Sequence, residues 1–177
     1  MDLLFLPSLL FIDKDIRKDW LDITILYFET QAINYNLYVW GGPVFTKRVR
    51  PLVYYDETSM EYRLGKGTTD SWFSGHVSMT AGATFFIAKV LSDYHPEWGG
   101  KRAWLYVAAL VPPAVVGYYR YRGMMHFPTD LMVGMAVGAA VGILVPHFRK
   151  ITRKMNKDLS VVPFTGGYSG VALSMRF

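Results

Sequence analysis

The chain has 177 residues, a length that suits one domain. Hydrophobic residues make up 51% and aromatic residues 16%, richer than an average soluble domain, and mean hydropathy is slightly positive. The absence of cysteine excludes a disulfide framework and thiol chemistry, and a net charge of +5 suits an anionic substrate or anionic lipid headgroups.

Residues 1–12 are apolar, yet they carry no leading positive charge and no small-residue cleavage site, so they make a poor signal peptide. They are also too short to span a bilayer, which takes about 20 apolar residues. Residues 13–19 are a charged break. Residues 20–40 read as a helix whose polar interruptions, Glu29, Gln31, Asn34 and Asn36, should face into a bundle, because such groups are costly against lipid. Gly41-Gly42-Pro43 should disturb that helix. Residues 52–72 form a polar loop.

A small-residue-rich helix is expected over 76–91, with Lys89 able to snorkel at its far end. Residues 92–102 form a turn, with Pro96 and Gly99-Gly100 as its breakers. Residues 103–119 are an apolar helix with a kink expected at Pro112-Pro113. The clearest membrane segment is 127–146, with Asp130 at its start. Gly134, Gly138 and Gly142 recur every four residues, continuing the stripe from Asp130, and this spacing lets helix backbones approach closely. A strongly basic run follows over 149–157. The tail from 161 to 177 alternates apolar with small or polar residues, so that Val171, Leu173, Met175 and Phe177 share one face, the period of a strand.

Three blocks carry the chemistry. They are Arg48-Val49-Arg50-Pro51, then Phe73-Ser74-Gly75-His76, then Arg120, His126 and Asp130 at R-x5-H-x3-D spacing. Only four histidines are present, and two of them fall in these blocks. Two histidines, a carboxylate and arginines at the ends of apolar segments are the parts of a phosphoryl-transfer site, where catalysis is mostly positioning and charge stabilisation. Arg50 and Arg120 supply bidentate donors for phosphoryl oxygens. Ser74 and Gly75 lie just before a helix, whose first N–H groups bind anions, and Gly75 allows close backbone approach. Asp130, one helical turn beyond His126, can accept from a ring nitrogen and hold the tautomer. His95 and His147 read as helix-end residues, and Arg122, Lys47 and Arg48 as interfacial charges.

The order and spacing of the blocks resemble the type 2 phosphatidic acid phosphatase superfamily, which also contains the vanadium haloperoxidases. Its blocks read Lys-x6-Arg-Pro, Pro-Ser-Gly-His and Ser-Arg-x5-His-x3-Asp. Three positions depart: the family Lys falls on Pro43, the Pro on Phe73 and the Ser on Tyr119. Lys47, one helical turn past position 43, is the candidate to present an ammonium on the same face. The resemblance implies an all-α membrane helix bundle that lacks its N-terminal helix or helices, residues 1–12 being the tail of a second helix. The helical domain would cover 1–157, with a strand-like tail over 158–177.

The resemblance also implies roles. His126 would be the nucleophile that forms a phosphohistidine, His76 the general acid, and Arg50, Arg120, Ser74 and Gly75 the phosphate ligands. The reaction would be hydrolysis of a lipid phosphate monoester or diphosphate, with no cofactor and no metal. The partners would be the lipid phosphate and the bilayer, with no nucleic acid. Phosphatidic acid, phosphatidylglycerol phosphate, a polyprenyl diphosphate and a lipid A phosphate are the substrate candidates. Two alternatives stand beside this: a haloperoxidase or soluble acid phosphatase of the same superfamily, and a non-catalytic relative that binds lipid phosphate or a protein partner. Basic residues concentrate in 13–19, 92–102 and 147–157, so the positive-inside rule puts the site on the periplasmic or exterior side of a bacterial inner membrane.

Overall fold

The computed structural model describes residues 13–44, 46–164 and 170–175. The expected helix tail at 1–12 lies outside the described residues, as does Phe177. The architecture is all-α, as expected, with a short hairpin at its end.

The charged break at 13–19 is itself helical. Helix α1, Lys14–Lys18, is capped by Asp13, whose side chain accepts from the N–H groups of Asp15 and Ile16, and it buries Ile16. Helix α2 follows at Trp20–Val39. Its polar face divides in a way that sequence alone does not show. Asn34 donates to the Ser78 carbonyl at 2.8 Å and accepts from the Ser78 hydroxyl at 2.7 Å. Gln31 is buried beside it, whereas Asn36 is exposed and bonds back to Ala32 of its own helix. Glu29 takes a bidentate ion pair from Arg149. Gly41-Gly42-Pro43 sits in a π-helical turn, Trp40–Val44, which ends the helix.

After a loop containing α3, Met60–Arg63, helix α4 runs Gly75–Tyr94 through the centre of the molecule. It buries Val77, Ala81, Ala83, Phe85, Phe86 and Val90 against its neighbours. The expected kink becomes a break between α5, Arg102–Ala109, and α6, Val111–Arg122. It falls just before Pro112-Pro113, so the prolines occupy the first turn of α6, where their missing N–H costs nothing. Helix α7 spans Pro128–Asp158, and Pro128–Lys150 within it is long and apolar enough to cross a membrane. The basic run continues this helix. Strands β1, Leu159–Phe164, and β2, Gly170–Met175, pair antiparallel with Val161 opposite Leu173, so the alternating tail pairs with itself.

The most extensive packing is between α4 and α7, and the glycine stripe explains it. A Cβ on Gly134 would lie 2.6 Å from the Ser74 carbonyl, and one on Gly142 2.6 Å from the Gly82 carbonyl. One on Gly138 would run into the Ser78 carbonyl and approach the Ala81 side chain to 2.8 Å. The matched order of these contacts makes the two helices parallel. Gly138→Ala should therefore cost on the order of 1–3 kcal/mol by overpacking. Thermal unfolding of the purified variant beside Gly100→Ala, where an added methyl meets nothing, checks this. Equal transition temperatures would mean that the backbones do not touch at 138.

Candidate active site

The three blocks meet at the end of the bundle where α4 begins and α6 ends. Residues 48–50 run extended beside 68–71: the Ser71 N–H donates to the Arg48 carbonyl at 2.9 Å and the Arg50 N–H to the Thr68 carbonyl at 2.7 Å. Arg50 precedes a proline, which favours extended backbone, and its φ and ψ are −72° and 150°. The third block is joined on by the Ser74 N–H, which donates to the Asp130 carbonyl at 3.1 Å.

Asp130 is fully buried and has three donors. Arg48 Nη1 lies 2.5 Å from Oδ1, while Ser71 Oγ at 2.5 Å and the Phe127 N–H at 3.0 Å donate to Oδ2. The Arg48 guanidinium also lies 4.3 Å from the Phe127 ring centroid and donates to Thr129. His126 is buried as well, but its expected bond to Asp130 is not made. Its Nδ1 is 4.0 Å from the Asp130 carboxylate and 2.7 Å from the Ser71 carbonyl. The physical reason is competition: Asp130 is engaged by a guanidinium, a hydroxyl and an amide, and a backbone carbonyl stands closer to the ring. A carbonyl only accepts, so Nδ1 carries the proton and Nε2 holds the free lone pair. Burial, reinforced by Arg50 and Arg120 and opposed by the Ser71 carbonyl and Asp130, pushes the His126 pKa down to about 4. The imidazole is therefore neutral at neutral pH.

Arg50 and Arg120 are half-buried, and their charges reach both His126 and His76. Arg50 makes only weak contacts, at 3.1 Å to the Met125 sulfur and 3.4 Å to the Asp70 carbonyl. His76 is exposed, one residue into α4. Among the described residues, four buried side-chain polar atoms have no hydrogen-bond partner: Arg50 Nε, Arg120 Nε, Ser74 Oγ and Gln31 Oε1. Buried polar atoms are normally paired. Three of these four belong to the residues expected to hold phosphate, at the N-terminus of a 20-residue helix.

Other expectations need correction. The helix ends at Val44 and the chain is not helical over 46–50, so the helical-turn argument for Lys47 fails. Lys47 is exposed, and it is Arg48 that turns inward. The close approach at Gly75 is made by Tyr38, whose ring would lie 2.9 Å from a Cβ there. Phe73, in the family's proline position, is buried with its ring centroid 6.0 Å from that of Tyr38. Sequence reasoning missed Ser71, Tyr38 and the inward role of Arg48. For Arg48 a signal existed, since an extended Arg-Val-Arg segment puts its two arginines on one side. Ser71 and Tyr38 lie outside the blocks and left no signal.

The PAP2 superfamily model matches residues 24–154. No curated protein matches the chain. In structure the chain is similar to a transmembrane PAP2-type phosphatidylglycerolphosphate phosphatase from Bacillus subtilis, at 24% identity and a TM-score of 0.56, over 84% of this chain and 67% of that one. At that identity the likeness speaks for the fold. The family match spans all three blocks and most of the bundle that brings them together, and on that ground the chain belongs to the PAP2 superfamily.

Proposed function

We propose that this protein is an integral-membrane phosphatase that hydrolyses a lipid phosphate through a phosphohistidine. The observation that carries this reading is the set of unpartnered polar atoms on Arg50, Arg120 and Ser74, beside a buried neutral His126. A phosphoryl group held there accepts from both guanidiniums, from Ser74 Oγ and from the first N–H groups of α4. Its phosphorus then faces Nε2 of His126. Attack by Nε2 forms the P–N bond as the P–O bond to the lipid breaks. His76 gives its proton to the departing oxygen and afterwards takes one from the water that hydrolyses the phosphohistidine. The two arginines supply the positive charge, so the scheme needs no metal. Gly75 shapes the site through Tyr38, and Lys47 has no part in it.

Membrane insertion is supported by the span Pro128–Lys150 and by exposed apolar side chains on the other long helices, among them Leu21, Ile25, Phe28, Trp104, Val111 and Val115. Helix α4 is about 30 Å long, the thickness of a bilayer core. It separates the site from an end where Lys14, Arg17, Lys18, Lys101 and Arg102 gather. The contacts His95–Asp13 and Tyr94–Asp19 tie that end together. The proposed orientation has this basic end in the cytoplasm of a bacterial inner membrane and the site outside. The helical domain would then cover 1–157, with the hairpin as a cytoplasmic tail. A non-catalytic relative that only binds lipid phosphate is the second reading, favoured by Pro43 in the place of the family lysine.

The first test is chemical. Wild-type protein given a radiolabelled lipid phosphate and quenched should yield an acid-labile phosphohistidine, and His126→Ala should yield none while staying folded. Vanadate should inhibit as a five-coordinate mimic, and EDTA should leave the rate unchanged. Turnover needs neutral His126, whose lowered pKa means that it gains a proton only as pH falls through about 4. The acid limb of kcat/KM, which reports the free enzyme, should therefore lie near there rather than near 6.5. Activity in His126→Ala equal to wild type would sink the scheme.

A second test concerns Asp130. If it acts on His126 only through Ser71, Asp130→Asn should lower kcat by about 10- to 100-fold, well short of the roughly 10⁴-fold loss in a direct Asp–His pair. Ser71→Ala should cost a similar amount, and the double variant should lose less than the product of the two. A 10⁴-fold loss in Asp130→Asn would mean that direct pairing forms during turnover.

The third test is topological. Cysteine placed at position 66 should react with an impermeant reagent from outside, and at position 160 only after cytoplasmic access. The reverse pattern would invert the orientation.

A further inference from the structure

The last turn of α2 brings to the site a side chain from outside the three blocks. Tyr38 stands one helical turn beyond Asn34, which is fixed to Ser78 of α4 by two hydrogen bonds, so the two residues share a face. Its ring packs edge-on against Phe73, with 6.0 Å between centroids and 74° between planes. The π-turn that follows leans on the same segment. A Cβ on Gly41 would lie 3.4 Å from the Phe73 ring, and one on Gly42 would run into the Trp72 carbonyl. These contacts fix where the Tyr38 ring sits.

It sits at the start of α4. The ring carbon that carries the hydroxyl would lie 2.9 Å from a Cβ on Gly75, the first residue of that helix. Glycine there leaves room for the phenol, and the hydroxyl lies beside the helix N–H groups that an anion would take. The charges of Arg50 and Arg120 both reach it. So does that of Asp70, but this carboxylate accepts from the Thr69 hydroxyl, at 3.4 Å, and not from the phenol. Tyr38 is half-buried, and among the described residues its hydroxyl has no hydrogen-bond partner.

We propose that Tyr38 is a further side-chain ligand of the phosphoryl group, its hydroxyl donating to a phosphoryl oxygen beside Arg50 and Arg120. This rests on the hydrolase reading above. Where α2 ends, Pro43 has no donor and Lys47 is exposed. The phenol gives the site a contact on that side without adding a third cation to two guanidiniums that already repel each other. A phenol donates one O–H, and a donor aimed at a phosphoryl oxygen gains strength as negative charge develops there in the transition state.

Tyr38→Phe keeps the ring against Gly75 and Phe73 and removes only the oxygen, so it should unfold at the wild-type temperature. Its kcat/KM, on the better substrate of phosphatidic acid and phosphatidylglycerol phosphate, should fall about tenfold, the scale of one hydrogen bond to a charged group. Calorimetric binding of vanadate should weaken by a similar factor. Tyr35→Phe, at an exposed neighbour whose ring centroid is 6.3 Å from that of Tyr38, should leave both quantities unchanged. A wild-type value of either quantity in Tyr38→Phe, or an equal loss in Tyr35→Phe, overturns the proposal. If no lipid is hydrolysed, the hydrolase reading falls separately and vanadate decides alone. Weaker binding by Tyr38→Phe than by wild type would keep the hydroxyl in the anion site. Equal binding by the two proteins, or none by either, would remove it.

Discussion

The carboxylate of Asp130 is the joint on which the site depends. A buried charge must be paired and hydrogen-bonded to be tolerated. Asp130 meets that demand with one donor from each of three segments: Arg48 from the Arg-Pro loop, Ser71 from the approach to α4, and the Phe127 N–H from the start of α7. The first two of these segments lie outside the helices and are joined to each other by a short backbone bridge. Removing one partner of such a pair typically costs about 3–5 kcal/mol, much of it from the charge left unpaired. The same bonds leave Ser71 with its carbonyl aimed at His126, so a structural requirement and a chemical one are met by one residue.

The packing of α4 on α7 is what allows the joint to form. With glycine at 134, 138 and 142, the α7 backbone lies against the carbonyls of Ser74, Ser78 and Gly82. Larger residues would push α7 outward and carry Asp130 and His126 with it. The close contact also brings the N-terminus of α4, with its orphan N–H groups, beside the ring of His126. The Ser78 that packs against Gly138 also fixes α2, through two hydrogen bonds with Asn34. Tyr38 thereby reaches Gly75 at the helix start.

Around this frame the charges are unbalanced in favour of an anion. Arg50 and Arg120 stand near each other with no carboxylate between them, since Asp130 is taken by Arg48. Two guanidiniums in a partly dry site repel each other and disfavour a proton on His126. A bound phosphoryl group would relieve both effects. The arrangement is therefore costly by itself and favourable with its ligand, as sites that stabilise developing negative charge are.

Much of this was legible in the chain. The helical bundle and the gathering of Arg50, Ser74, His76, Arg120, His126 and Asp130 at one end of it were what the resemblance implied, while the long apolar segment of α7 and its glycine contact face follow from spacing and residue type, because periodicity is a local property. The break before Pro112-Pro113 and the alternating tail were visible for the same reason. What the sequence could not decide is which acceptor each donor chooses. Asp130 lies one turn from His126, and spacing alone pairs them, but the carboxylate is claimed by Arg48 and Ser71, which are 82 and 59 residues away. Lys47 was expected to face inward on a helix that the π-turn at Trp40–Val44 ends, and Arg48 does so instead. Sequence determined the parts and the face each helix offers. Tertiary structure decided the hydrogen-bond partners, because in a buried site polar groups compete for one another across the whole chain and the closest geometry wins.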